Sequence, residues 1–376
     1  MAHLLLFLSL LALLGNLVFW FVAARQLRPA PSRDAAREEA TEGGEEQRAT
    51  PPVSVVVAVR NGEDLLDELI RGLLAQDYPN FELVICDDAS TDGTYAKLSE
   101  WSRADERLRI IRVQQKRLPG KKQALAQAIK YAQHEWLLTT DVDCRPESTT
   151  WISMMIAARR ADSELVLGYS PYALRNGWLN RWIRFEGVYT ALQYLTSALI
   201  GRPYMGVGRN LLYSRGLYDR VGGFADHEHL AGGDDDLLVS AGATATNTVA
   251  ATARPAWVWS LPSESWRAYY RQKTRHVSVS NAYRLPDKMW LTGLAASHLV
   301  FYFGVLAVAG LGLAKLAAAL YALRLLALWP QSATLLKRLG HPDLVVWWPL
   351  LDAGLVFYYV VFAGAALFPR AASEKW

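Results

Sequence analysis

Apolar residues gather into three blocks, with a long stretch of ordinary globular sequence between the first and the second. Residues 4–24 contain no charged side chain. At about 1.5 Å per residue, a helix of that length crosses the roughly 30 Å hydrocarbon core of a bilayer. A second block runs from Met289 to Trp329 and a third from Leu344 to Phe368. The second is too long for one span, and Gly310, Gly312 and Lys315 mark a turn inside it, so it is read as two. The pattern predicts four spans, or three if residues 315–329 only lie at the interface. Leu335-Leu336-Lys337-Arg338 and His341-Pro342 are read as a short basic loop on the cytoplasmic side.

Between residues 50 and 286 the pattern changes. Short β-branched or apolar runs alternate with stretches of helical period. Val53–Val59 is too short for a buried helix and reads as a central parallel strand. Leu65, Leu66, Leu69, Ile70, Leu73 and Leu74 then recur at helical spacing. Phe81–Cys86 predicts a second strand, followed by a helix through Trp101. Arg109–Val113 predicts a third strand, Gly120–Gln133 a helix, and Trp136–Thr140 a fourth strand. Strands alternating with helices of this length build βαβ units and a doubly wound α/β sheet. Right-handed crossovers bring the carboxyl ends of the strands to one edge, where such sheets bind ligands.

The composition fits this plan. Of 376 residues, 52% are hydrophobic and 20% charged, against about 25% charged in average soluble chains. A disordered chain is excluded, and an ordinary soluble enzyme is disfavoured. The net charge of +4 is too small to argue for a nucleic-acid partner, and none is expected. Cys86 and Cys144 are far apart, so neither a thiolate metal site nor a disulfide framework can be built, and a reducing compartment fits. Arg25, Arg28 and Arg33 follow the first apolar run and none precedes it. That asymmetry predicts an outside N-terminus, an integral inner or plasma membrane protein and a cytoplasmic soluble domain. A cleaved signal peptide is the alternative. Val22-Ala23-Ala24 is small enough for cleavage, but Met1-Ala2-His3 has no basic residue and the run exceeds the usual length of about 7–15. The expected organisation is an anchor at 1–25, a flexible tether at 26–50, an α/β domain at 51–262, an interfacial helix at 263–287 and about three membrane helices at 288–370.

Two strands end in paired carboxylates at the ligand-binding edge: Asp87 and Asp88 after the second, Asp141 and Asp143 after the fourth. Helix caps and Asx turns explain one such pair readily. Two pairs converging on one edge suit Mg²⁺ or Mn²⁺ holding a diphosphate. Asp234, Asp235 and Asp236 are three consecutive acids of the kind that favours a helix N-terminus. Tyr204–Asn210 is a Gly-rich loop without a P-loop or dinucleotide fingerprint, and a tight turn feeding a strand explains it at least as well as a ligand-contacting segment does. His227 and His229 lack a third ligand by spacing and are read as surface loop. The segment 264–284 holds Trp266, Tyr269, Tyr270 and Tyr283 among five basic residues, with Glu264 its only acid. It reads as a basic amphipathic helix on anionic lipid.

Taken in order, these segments carry a resemblance. Val53–Asn61 followed by Cys86-Asp87-Asp88-Ala89-Ser90-Thr91-Asp92-Gly93-Thr94 resembles the opening of the family 2 glycosyltransferases, which have the GT-A fold. Gly120-Lys121-Lys122-Gln123-Ala124-Leu125 is similar to their GK-x-x-AL segment, and Asp141-Val142-Asp143 stands at their D-x-D motif. Gly232-Gly233-Asp234-Asp235-Asp236-Leu237 resembles their acceptor-side G-[ED]-D-x-D-L motif. Gln272-Lys273-Thr274-Arg275-His276 resembles the Q-x-x-R-W motif of membrane-bound members such as the cellulose and hyaluronan synthases. The resemblance covers about residues 53–286.

It implies a membrane-bound, inverting, metal-dependent hexosyltransferase that moves a sugar from a nucleoside diphosphate sugar to a lipid-linked or glycan acceptor. Asp143 is the implied metal ligand, and Asp141 contacts the ribose or the same metal. Asp87 and Asp88 belong to the donor site, with Asp88 on the base or ribose. Lys121 or Lys122 lies near the nucleotide; for both lysines the plain alternative is a solvated helix start. Gln272 and Arg275, three apart on one helix, share a face and can point at one ligand, which the resemblance makes the donor. Asp234 is the implied catalytic base, with Asp235 one register away. Two positions depart from the pattern. Gly233 replaces an acid, and His276 stands where processive synthases carry Trp. The alternatives are a processive polysaccharide synthase, a nucleotidyltransferase and an inactive membrane scaffold.

Overall fold

A computed structural model describes residues 2–28 and 50–367. The expected tether lies almost wholly outside the described residues, as does Arg33. The chain opens with α1 (Ala2–Gln26). The sheet sequence follows as β1 (Val53–Val59), α2 (Glu63–Leu74), β2 (Phe81–Asp87), α3 (Thr94–Ala104), β3 (Leu108–Arg112), α4 (Lys122–Tyr131) and β4 (Trp136–Thr139). Next come β5 (Cys144–Pro146), α5 (Trp151–Ala157), β6 (Leu165–Gly168), α6 (Trp178–Leu199), β7 (Leu211–Ser214) and α7 (Arg215–Arg220). The chain continues as α8 (Asp236–Gly242), β8 (Thr248–Ala251), β9 (Val258–Ser260) and α9 (Trp266–Val279). It closes on α10 (Leu285–Gly310), α11 (Ala314–Arg338) and α12 (Trp348–Leu367). These elements form two compact units. One holds residues 50–174 and 197–262, the other residues 2–28, 175–196 and 263–367.

In the first unit seven strands run in the order β3-β2-β1-β4-β7-β6-β8. β1 is parallel to β2 and β4, β2 is parallel to β3, and β7 is antiparallel to both β4 and β6. All seven residues of β1 are buried. Val53, Val55, Val57 and Val59 share one core with Leu66, Leu69, Ile70 and Leu73 of α2 and with Trp151, Ile152 and Met155 of α5. Each such fully buried side chain contributes about 1.5–3 kcal/mol of transfer free energy. Covered faces on both sides explain why β1 is a continuous β-branched run without alternation. Pairing of Val59 with Asp87, and of Asp87 with Arg112, brings the ends of the first three strands level. The expected helix at 120–133 is shorter, because Gly120 sits at φ +67° and α4 starts only at Lys122. A side chain at Gly120 would run into the Ala231 carbonyl.

The second unit gathers the apolar helices. Among the described residues, α1 and α10 are long and apolar enough to cross a membrane, and α12 adds a shorter apolar stretch, Trp348–Gly364. The turn expected near Gly310–Lys315 separates α10 from α11, with Gly312 at φ +80°. Leu335-Leu336-Lys337-Arg338 is the last turn of α11 and not a loop; the chain turns afterwards, at Gly340 (φ +84°). The helix dipole explains the difference, since Lys337 and Arg338 favour a helix C-terminus. Arg338 also donates to the carbonyls of Ala24 (2.9 Å) and Leu27 (3.2 Å), capping α1.

Four helices meet at one buried polar hub. Arg324 of α11 donates Nε to Asp352 Oδ2 (2.9 Å) and Nη2 to Oδ1 (3.1 Å). Tyr302 of α10 donates to the same carboxylate at 2.7 Å, and His298 Nε2 pairs with the Asp352 carbonyl at 2.9 Å. Asn16 of α1 accepts from Arg324 at 3.5 Å and donates to Ser297 at 3.1 Å. Segment 175–196 joins this unit too. Glu186 of α6 is buried against Lys273 of α9 at 2.6 Å, and Arg184 grips Asp343. Within the expected interfacial segment at 263–287 the α-helix itself is shorter. Ser265 caps it, it ends at Val279, and Tyr269 and Lys273 point inward.

Candidate active site

The carboxyl edge of the sheet is built from four loops. The first two, after β1 and β2, are stitched together: Asn61 Oδ1 accepts from the Thr91 amide (2.9 Å), and the Asn61 amide donates to Ser90 Oγ (2.9 Å). Asn61 and Ala89 both sit at positive φ, +50° and +54°. Non-glycine residues in that region concentrate strain where a site demands it. Asp87 is fully buried, accepts from the Ser90 amide (3.1 Å) and pairs with Arg112 (3.2 Å). Asp88 is equally buried and pairs with Lys116, whose ammonium also bonds the Gly120 carbonyl (2.6 Å). The sequence reading missed Lys116. It lies in the irregular stretch between β3 and α4, where no periodicity marks it.

The third and fourth loops face each other through Lys121. Its ammonium lies 2.6 Å from Asp141 and 3.2 Å from Asp234. Burial opposes its charge, yet Asp141, Asp234 and Asp235 outweigh burial and hold its pKa above the ordinary value. Lys122 points elsewhere. It is fully buried and donates to the carbonyls of His227 (2.8 Å), Leu230 (2.7 Å) and Gly232. Neither lysine is a solvated helix start. Lys122 clamps the loop that delivers Asp234. His227 is likewise no surface residue: it is buried, its ring edge-on to Phe224 at 6.1 Å. His229 is exposed as expected.

Asp235 caps α8. Its Oδ1 accepts from the Asp236 amide (2.8 Å) and its Oδ2 from the Gly208 amide (2.6 Å). Burial first and the charge of Asp234 second push its pKa up. A Cβ at Gly208 would come within 3.2 Å of Asp235 Oδ2 and 3.4 Å of Asp234 Oδ2, so the loop backbone packs tightly against both carboxylates. Asp143 accepts a thiol hydrogen bond from Cys144 (3.3 Å) and a long one from Ser260 (3.5 Å). Burial, then the neighbouring Asp141, raise its pKa. Gln272 and Arg275 belong to the other unit, where Gln272 accepts from Ser263 at 3.0 Å.

No three His, Cys, Asp or Glu residues among those described gather closely enough to hold a metal alone. The chemistry of the donor set still fits one. Mg²⁺ and Mn²⁺ are commonly held by one or two carboxylates, with phosphate and water completing the shell. Asp143 has weak protein partners and suffers the charge of Asp141, so a cation relieves both.

Two family models match the chain: Glycosyl transferase family 2 over residues 54–222, and Glycosyl transferase family group 2 over residues 155–363, more than half of its length. The chain belongs to glycosyltransferase family 2. The mannosyltransferase PcManGT from Pyrobaculum calidifontis, solved with GDP-Man and Mn²⁺, shares the fold of this glycosyltransferase, with a TM-score of 0.62 over 98% of each chain at 21% identity. The beta-monoglucosyldiacylglycerol synthase of Trichormus variabilis is 34% identical over 28% of this chain and 23% of its own. The UDP-Glc:alpha-D-GlcNAc-diphosphoundecaprenol beta-1,3-glucosyltransferase WfgD of Escherichia coli is 33% identical over 24% of this chain and 34% of its own. The chain thus spans about a quarter to a third of the length of these two curated relatives. The GT-A assignment holds. The narrower likeness to the cellulose and hyaluronan synthases rests on the 272–276 motif alone.

Sequence reasoning also passed over Asn210. Its side chain donates to the carbonyls of Tyr169 (2.9 Å) and Ala256 (2.8 Å) and accepts from Trp151 Nε1 (2.9 Å). It fixes the end of the Gly-rich loop beside Gly208. Only its place after Gly-x-Gly-x could have flagged it.

Proposed function

We propose that this glycosyltransferase is a metal-dependent, inverting enzyme of the membrane, transferring a sugar from a nucleoside diphosphate sugar to a lipid-linked or glycan acceptor. The observation that carries this reading is Lys121, whose one ammonium joins Asp141 of the donor-side loop to Asp234 of the acceptor-side loop. In the reaction, the bond from the anomeric carbon to the diphosphate oxygen breaks, and its electron pair stays on that oxygen. The acceptor oxygen bonds the anomeric carbon from the opposite side, and its proton passes to Asp234. Asp88, held by Lys116, faces the base or ribose. Mg²⁺ or Mn²⁺ at Asp143, with Asp141 beside it, would neutralise the leaving diphosphate as a Lewis acid. Helices α1 and α10, with Arg25 in the last turn of α1 and Arg28 just after it, support a membrane anchor with the catalytic unit in the cytoplasm. The names of the two curated relatives, one acting on a diacylglycerol lipid and one on a diphosphoundecaprenol lipid, support a lipid-linked acceptor.

The direct test is purified protein in detergent with a panel of nucleotide sugars and Mn²⁺, assayed for released nucleoside diphosphate with and without a lipid diphosphate acceptor. Release that is acceptor-stimulated and inverting is expected. No binding and no release with any donor would sink the reading. In the same assay Asp143→Ala is expected to lower turnover by about 10²-fold or more at every Mn²⁺ concentration, because several kcal/mol of charge stabilisation disappear. Wild-type turnover across the Mn²⁺ titration would remove Asp143 from the metal site.

Gln272 and Arg275 are assigned to donor binding by their motif. A guanidinium holds phosphate bidentately and an ammonium does not. Arg275→Lys should therefore raise the donor KM about tenfold, while Arg267→Lys, at an exposed position of the same helix, should change nothing. Equal activity of both variants makes α9 an anchor only.

A further inference from the structure

Arg209 is a cation on the loop that feeds β7. The loop that carries it, Gly206–Asn210, is pinned on either side of it. Gly208 donates its amide to Asp235, and Asn210 spends its side chain on Tyr169, Ala256 and Trp151. Between these pins the guanidinium lies over the ring of Tyr172, 4.5 Å from its centroid. Among the described residues the guanidinium makes no ion pair and donates no hydrogen bond, and its Nη1 is shut away from solvent without an acceptor. The three lysines of the site each have a carboxylate or carbonyl: Lys116 has Asp88, Lys121 has Asp141 and Asp234, Lys122 has three carbonyls. Burial works against the charge of Arg209, but Tyr172, Cys144, Asp143 and Asp141 around it hold its pKa above the ordinary value. Arg209 is thus a rigidly mounted guanidinium in the field of the candidate metal carboxylates, with unused donors.

We propose that Arg209 is a second phosphate anchor, binding oxygens of the donor's diphosphate beside Asp143 and holding the leaving group as its negative charge grows. This rests on the reading of the site as one for a nucleoside diphosphate sugar. A planar fork of donors matches two phosphate oxygens, and stacking on Tyr172 fixes the plane of the fork before the ligand arrives. An ammonium at this position keeps the charge and loses the fork. When the anomeric carbon–oxygen bond breaks, the electron pair moves onto a phosphate oxygen. Arg209 then faces more charge than in the ground state, so its contribution falls on turnover as well as on binding.

The test is calorimetric titration of the full chain in detergent with Mn²⁺, using UDP and GDP against UMP and GMP. Wild type should bind one diphosphate more tightly than its monophosphate. Arg209→Lys and Arg209→Met should weaken that diphosphate about tenfold or more. They should leave the monophosphate within about twofold, at an unchanged thermal midpoint. Equal losses for mono- and diphosphate, or a diphosphate affinity that does not change, overturn the assignment of Arg209 and leave the proposed function standing. If wild type binds no nucleoside diphosphate at all, the proposed function falls and the anchor with it.

Discussion

Asp234→Asn is expected to lower turnover by about 10²–10⁴-fold, the usual loss of a general base, while nucleoside diphosphate binding stays within about twofold. The substitution is nearly isosteric. The backbone that delivers residue 234 is fixed independently, by Lys122 on the carbonyls of His227, Leu230 and Gly232, so folding should survive. Lys121 keeps Asp141 as a partner at 2.6 Å. The informative companion is Asp235→Asn. Asp235 accepts two backbone amides, from Asp236 and Gly208; the single oxygen of Asn keeps the helix cap at Asp236 and gives up the Gly208 amide. This variant should keep activity within about tenfold of wild type. Burst kinetics or single-turnover rates, together with a calorimetric affinity for the diphosphate, separate the two effects. If Asp235→Asn is inactive and Asp234→Asn turns over normally, the base is one residue further along.

The acidic edge of the sheet was legible because strand ends are legible. A β-branched run bounded by helical periodicity fixes where β1, β2 and β4 stop, and Asp87, Asp88, Asp141 and Asp143 follow from that. The sequence could not separate Lys121 from Lys122. Adjacent helical residues point about 100° apart, and only the fold says which direction holds carboxylates and which holds carbonyls. Nor could it place residues 175–196. Arg184 and Glu186 are buried because Asp343 and Lys273 meet them from 159 and 87 residues away, and no local period records such partners. Helix ends slipped for a local reason, as at Gly120, where a left-handed φ delays α4 by two residues. His227 read as a surface loop because a short 3₁₀ turn, Ala225–His227, has no apolar period to reveal its burial.

Asp352→Ala is expected to destabilise the helix unit by about 3–5 kcal/mol, the range for removing one partner of a buried ion pair. A single hydrogen bond between membrane helices is worth far less, about 0.6 kcal/mol on average, so the size of the loss decides what the hub is. Arg324 and Asp352 are almost wholly buried, at 0% and 1% exposure, and the carboxylate takes two bonds from Arg324 and one from Tyr302. Removing it leaves Arg324 with His298 Nδ1 at 3.2 Å and Asn16 at 3.5 Å, and no counter-charge. A charged group stranded among apolar helices is the expensive state. Replacing both partners by apolar residues, Arg324→Met with Asp352→Leu, should accordingly cost less than Asp352→Ala alone, because no charge is left behind. Unfolding by detergent denaturant, followed through the Trp fluorescence of this Trp-rich unit, measures both variants. A loss under about 1 kcal/mol for Asp352→Ala would mean that packing alone assembles α1, α10, α11 and α12. A double variant that is worse than the single one would mean that the hub specifies the helix arrangement through its hydrogen bonds and not merely by satisfying its own charge.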